Sequence, residues 1–127
     1  MKILITGVAG FIGFSLAEKL LNQNKIVYGI DNLDNYYSIK LKKNRLTQLR
    51  KYKKFNFYNI DICKNKILKK KIKNLKFDYI YHFAAQPGVR YSLVNPKKYY
   101  DVNVLGFQNI LENINKMKLK KIIYASS

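Results

Sequence analysis

The chain has 127 residues, 48% of them hydrophobic, enough for one domain with its own core and too apolar for a disordered tail. No run approaches the ~20 apolar residues of a membrane helix, so no membrane partner is expected. The formal charge of +18 would ordinarily suggest nucleic acid, but lysine supplies 22 of the 25 basic residues and only Arg45, Arg50 and Arg90 offer the forks that phosphate readers favour, so no nucleic-acid partner is expected either.

The N-terminus, MKILITGVAGFIG, is broken by glycines and followed by no small-x-small cleavage site, so it reads as a strand entering a turn rather than a signal peptide. Residues 2–6 are that strand. Helical spacing of Ile12, Leu16 and Leu20, with Ala17 and Leu21, predicts a helix over 11–22. A second strand covers 25–30 and stops at Asp31. The polar loop DNLDNYYS leads into a lysine-rich helix near 38–52 with Leu41, Leu46 and Leu49 inward. Residues 54–60 alternate as a third strand, and a weaker helix near 64–74 carries Ile67, Leu68 and Ile72. FDYIYHFAA (77–85) is a fourth strand containing the only histidine, His82, read as a packed core residue. Pro96 suits the first turn of a long helix to Met117 with an inner stripe of Val104, Phe107, Leu111 and Ile114. KKIIYASS is a fifth strand. Strands alternating with helices predict an α/β fold, a Rossmann-type doubly wound parallel sheet in order 3-2-1-4-5, as a single unit over 1–127.

The densest chemistry lies at Gly7, Gly10 and Gly13, between the first strand and the first helix. One glycine allows a tight turn, one lets backbone approach a pyrophosphate and one lets helix and strand pack closely, with the phosphates over the helix N-terminus. A tight turn without ligand would use the same residues. Asp31, 18 residues beyond Gly13, can accept both adenosine ribose hydroxyls and would repel a 2′-phosphate, so NAD is expected over NADP. Asp61 and Ile62 follow the third strand, where the aspartate either meets adenine or caps the next helix. Ala84 and Ala85 follow the fourth, where small side chains let a cofactor pass. Cys63 is alone, which excludes an intrachain disulfide and fits a reducing cytoplasm; it reads as a small apolar filler. No metal site is expected, because no second histidine or carboxylate cluster stands at ligand spacing.

Together TGVAGFIG, DNL, DI, HFAAQ, NVLGFQNILE (103–112) and IIYASS resemble the extended short-chain dehydrogenase/reductase family over the whole chain. Within it, DNLDNYYS and AAQPGVRYSLVNP look most like the UDP-glucuronate 4-epimerases. The resemblance implies NAD-dependent epimerisation at a sugar C4 through a 4-keto intermediate, with a UDP-sugar as substrate and homodimeric full-length relatives. By that similarity Gly7, Gly10, Phe11, Ile12 and Gly13 line the pyrophosphate, and Asp31 with Asn32 holds the adenosine ribose. Asp61 and Ile62 meet adenine; Ala84, Ala85 and Gln86 border the nicotinamide. Asn103 matches the family asparagine, and Ser127 the catalytic serine or threonine. Arg90 lies near the substrate or is a plain surface arginine. The family's Tyr-x-x-x-Lys base belongs downstream of Ser127. Tyr36 to Lys40 (YYSIK) has that pattern but follows the second strand, away from the nicotinamide edge. The sequence is therefore expected to be the NAD-binding part of an epimerase, inactive alone. A 4,6-dehydratase fragment or a non-catalytic dinucleotide-binding module would share its motifs.

Overall fold

Five short strands pair in parallel: β1 (Lys2–Thr6), β2 (Ile26–Asp31), β3 (Phe55–Asn59), β4 (Tyr79–His82) and β5 (Lys121–Tyr124), in the order β3-β2-β1-β4-β5. This is the predicted order, and the computed structural model that shows it describes residues 1–126. Four helices of eight residues or more connect the strands: α1 (Phe11–Asn22), α2 (Ile39–Leu49), α3 (Asn65–Ile72) and α5 (Phe107–Ile114), with the short α4 (Pro96–Tyr99) before α5. Among the described residues, no helix is long and apolar enough to cross a membrane.

The pleat of β1 sends alternate side chains to opposite faces. Leu4 joins Ile30, Ile80, Leu68, Ile72, Ile110 and Ile114 under α3 and α5. Ile3 and Ile5 join Val27, Ala17, Leu21, Leu46 and Leu49 under α1 and α2. A strand covered on both faces needs apolar residues without a break, which is why β1 reads as a continuous run.

The helix seams differ from the expected ones in three places. On α2 the inner positions are Lys42, Leu46 and Leu49, while Leu41 is exposed. Lys42 buries its stem and delivers Nζ to the Asp34 carbonyl at 2.8 Å. On α3, Ile67 is exposed and Leu68 and Ile72 face the core. The third difference interrupts the long helix after Pro96. Asn95 caps α4, and Tyr100–Gly106 then winds as a π-helix before α5. Val104 and Leu111 consequently face solvent, and the seam runs Val102, Gly106, Ile110, Ile114. A strict spacing of four drifts round an α-helix of 3.6 residues per turn, and the wider π turn takes up that drift. Gly106 is needed there, because a Cβ would meet Ile62 Cδ1 at 2.7 Å.

Candidate functional site

At the carboxyl ends of β1, β2, β3 and β4 lies a cavity of about 570 Å³. Its wall includes Gly7, Gly10, Phe11, Ile12 and Gly13 from the first turn, Asp31 and Asn32 after β2, Asp61 and Ile62 after β3, and Ala84, Ala85 and Gln86 after β4. Four segments separated in sequence thus converge on one surface, because a parallel sheet brings the ends of its strands to one edge.

The three glycines have different tasks. Gly7 has φ +71, and a Cβ on it would lie 2.8 Å from Ala84 N and Phe83 C. A Cβ on Gly13 would run into the Gly7 carbonyl and lie 3.0 Å from Val8 Cα, so α1 rests directly on the turn. Gly10 differs: a Cβ there meets only Gly7 O at 3.1 Å and Tyr37 Oη at 3.9 Å, so it faces the cavity. Gly10 is also the N-cap of α1, with no side-chain cap and no acidic residue in the first turn. The free N–H groups of that helix end, beside the exposed Phe11 and Ile12, suit an anionic ligand with an apolar body.

Asp31 is only 6% exposed. Oδ2 accepts from Ala9 N at 3.0 Å and Oδ1 from Leu33 N at 2.8 Å, so the carboxylate is held by the glycine turn and by its own loop. Each oxygen keeps a lone pair for a hydroxyl donor. Asp61 accepts from Cys63 N at 2.8 Å, while the N-cap of α3 is Lys64, so Asp61 is not that helix's cap. Cys63 does more than fill space: Sγ donates to the Asp101 carbonyl at 3.3 Å, and burial first, then neighbouring Asp61, pushes the thiol up to about 11.

Asn103 lies outside the cavity wall. Its Oδ1 accepts from Gln86 N at 2.8 Å, so the π-helix fixes the backbone of the loop that does line the cavity. His82 is buried, its Nδ1 2.7 Å from Thr6 Oγ1, and it stacks on Phe107 at 4.8 Å. Burial lowers its pKa to about 4, leaving a neutral ring at neutral pH. Arg90 is exposed and outside the wall. Ser127 lies outside the described residues. Among the described residues, no group of three His, Cys, Asp or Glu side chains could hold a metal ion.

Lys42 and Arg45 belong to no motif, while Tyr37 lies in DNLDNYYS. Tyr37, Lys42 and Arg45 come from the β2–α2 loop and α2. Arg45 Nη1 donates to Ala9 O at 3.0 Å and to Tyr37 Oη at 3.3 Å, and Lys42 Nζ sits 4.5 Å from the Tyr37 ring centre. One signal did exist: Lys42 and Arg45 stand three apart beside the inner Leu46, a spacing that puts them on one helix face. The same loop crosses towards β4. Asp34 Oδ2 pairs with Lys98 Nζ at 2.9 Å, and Tyr36 packs on Gly88 and Tyr91. Tyr36 therefore lies closer to the β4 edge than chain order predicts. Lys40 is exposed and forms no cation–π pair with that ring among the described residues.

Comparison with known proteins fits this arrangement. Protein CapI of Staphylococcus aureus is 44% identical over the full chain, which covers 38% of CapI. UDP-glucuronate 4-epimerase of Thermodesulfobacterium geofontis is 44% identical over 98% of the chain and 38% of the relative. A crystal structure of UDP-glucuronic acid 4-epimerase from Bacillus cereus with UDP-glucuronic acid and NAD superposes with a TM-score of 0.87 at 36% identity, over 100% of this chain and 40% of that one. The chain thus spans about two fifths of the length of the relatives it matches. The family model for GDP-mannose 4,6 dehydratase matches residues 4–127. With that match over almost its whole length and a Rossmann sheet beneath it, the chain belongs to the GDP-mannose 4,6-dehydratase family.

Proposed function

We propose that residues 1–127 are the NAD-binding part of a nucleotide-sugar 4-epimerase of the UDP-glucuronate type. The observation that carries the reading is Asp31, whose buried carboxylate stands beside an uncapped helix N-terminus and an open Gly10. That set suits a ribose next to a diphosphate. The substrate class rests on the likeness to UDP-glucuronate 4-epimerases. The family model's own description favours a second reading, a nucleotide-sugar 4,6-dehydratase, over the same residues.

In this reading the N–H groups at Phe11, Ile12 and Gly13 hold the diphosphate, and Asp31 with Asn32 orients the adenosine ribose. Asp61 and Ile62 border adenine. Ala84, Ala85 and Gln86 leave room for the nicotinamide, and Asn103 acts one step back by fixing Gln86. NAD, when bound, supplies hydride acceptance and return at the sugar C4. Ser127 would hydrogen-bond the reacting oxygen, as the family resemblance implies. His82 takes no part, being neutral, buried and already bonded. The lone free Cys63 suits a cytoplasmic setting, and the full-length protein would be a homodimer, as its resemblance implies.

Two measurements test the proposal. Titration of NAD and NADP at physiological ionic strength should favour NAD, because a 2′-phosphate would face Asp31; equal or tighter NADP binding sinks the assignment. The 127-residue polypeptide, given UDP-glucuronate and NAD, should yield no C4 epimer, since its one Tyr-x-x-x-Lys pattern runs from Tyr36 to an exposed Lys40 that forms no cation–π pair with that ring among the described residues. Turnover that disappears in Tyr36→Phe would overturn this.

A further inference from the structure

We propose that Arg45 is a phosphate ligand of the cavity: its guanidinium braces the glycine turn through Ala9 and presents its remaining N–H groups to the diphosphate of a dinucleotide lying over Gly10. The proposal rests on the reading of the cavity as a dinucleotide site and adds to it a charged contact that the glycine motif does not contain.

Ala9, the residue before Gly10, is held at both ends of its backbone. Its N–H donates to Asp31 Oδ2 at 3.0 Å, and its carbonyl accepts from Arg45 Nη1 at 3.0 Å. The same Nη1 donates to Tyr37 Oη at 3.3 Å, which accounts for both of its hydrogens. The N–H groups on Nη2 and Nε have no partner among the described residues. Nor does any carboxylate there stand within ion-pair distance of Arg45, the two ion pairs being Lys97–Asp101 and Lys98–Asp34. Because no buried side-chain nitrogen lacks a partner among the described residues, those N–H groups are open to the cavity, where an anion can replace water.

The geometry says where the anion would lie. Above Gly10 the nearest side-chain atom is Tyr37 Oη, 3.9 Å from where a Cβ would be, an ordinary contact distance, so the tyrosine that Arg45 holds stands beside the turn and both border the cavity. The helix N-terminus and Arg45 both line the cavity at this point. A planar fork of donors meets two phosphate oxygens at once, which a lysine cannot do. Lys42, the other cation in the wall, gives one donor to the Asp34 carbonyl and sits 4.5 Å from the Tyr37 ring centre.

The test compares adenosine, ADP and NAD as probes, titrated by NMR into the wild-type chain and into Arg45→Gln and Arg45→Lys. Loss of a charge-assisted hydrogen bond predicts at least about tenfold weaker ADP and NAD binding in Arg45→Gln, with adenosine changed less than about twofold. The salt dependence of ADP binding should flatten as well. Arg45→Lys, which keeps the charge and loses the fork, should fall between. Equal loss for adenosine and ADP would make Arg45 a brace of the turn only and overturn the proposal, as would no loss at all. If Arg45→Gln fails to fold, the same adenosine-against-ADP comparison in Arg45→Lys decides. A wild-type chain that binds neither ADP nor NAD overturns the cavity reading itself; a wild type that binds both while the variants match it overturns only the role of Arg45.

Discussion

At the centre of the sheet β1 carries four consecutive buried residues, Ile3 to Thr6, whereas at the edge no residue of β5 is fully buried and Tyr124 is 56% exposed. The cavity follows the same division. The end proposed to take adenosine is bounded by a buried Asp31 bonded to two backbone N–H groups, and the far end by the exposed Ala85 and Ala125. The difference teaches how the function is distributed along the chain. Binding one half of a dinucleotide needs only the first β-α-β units and their turns, all of which lie within 127 residues. The relatives run about two and a half times as long, and a closed pocket around the reacting end is expected to draw on that further length.

The comparison can be broken first at the glycines. Gly13→Val should prevent folding, since its side chain would enter the Gly7 carbonyl, while Gly10→Val should keep the fold and lose NAD. The expected gap in stability is more than about 3 kcal/mol, read by urea unfolding beside an NAD titration. If Gly10→Val still binds NAD as tightly as wild type, the turn is only structural.

Core truncation sharpens the contrast between the two sides. Leu4→Ala removes a fully buried side chain at the centre of the sheet and should cost about 3 kcal/mol, against about 1 kcal/mol for the half-buried Ile122 changed to Ala. Similar losses at the two sites would mean that the β5 side is as well packed as the β1 side.

His82 links the two sides and should make stability depend on pH. Its folded pKa of about 4 lies below the ordinary 6.5, so the unfolded chain binds the proton more readily. Stability from this group is therefore whole above pH 6.5 and drains away as pH falls from 6.5 towards 4, by up to about 3 kcal/mol. Unfolding curves at pH 7 and pH 5 measure it, and His82→Gln should flatten the dependence in that window.

The smallest effect belongs to the Asp34–Lys98 pair, which ties the loop after β2 to the segment after β4. Burial alone would raise the Asp34 carboxyl, but the Lys98 hydrogen bond, the Tyr36 N–H and nearby positive charge together hold it below its usual range. Both partners are partly exposed, so Asp34→Asn should cost under about 1 kcal/mol. A faster NAD off-rate in that variant would show that the tie steadies the cavity mouth; an unchanged rate would confine it to the surface.

Short-range pattern was enough for the strands themselves, the glycine turn and the place of Asp31 at the end of β2, because each depends on neighbours along the chain, while the strand order followed from the doubly wound topology that alternating strands and helices imply. Asn103 matched a family position, but its bond to Gln86 depends on a π turn. That turn answers a packing demand between Gly106 and Ile62, 44 residues apart in sequence, and hydrophobic periodicity assumes a regular helix. For the same reason Val104 and Leu111 read as inward and lie outward. Arg45 was illegible in another way. An arginine on a lysine-rich helix looks like any solvated charge until the fold carries it to Ala9, and only the tertiary structure brings a residue 36 positions away to the turn it braces.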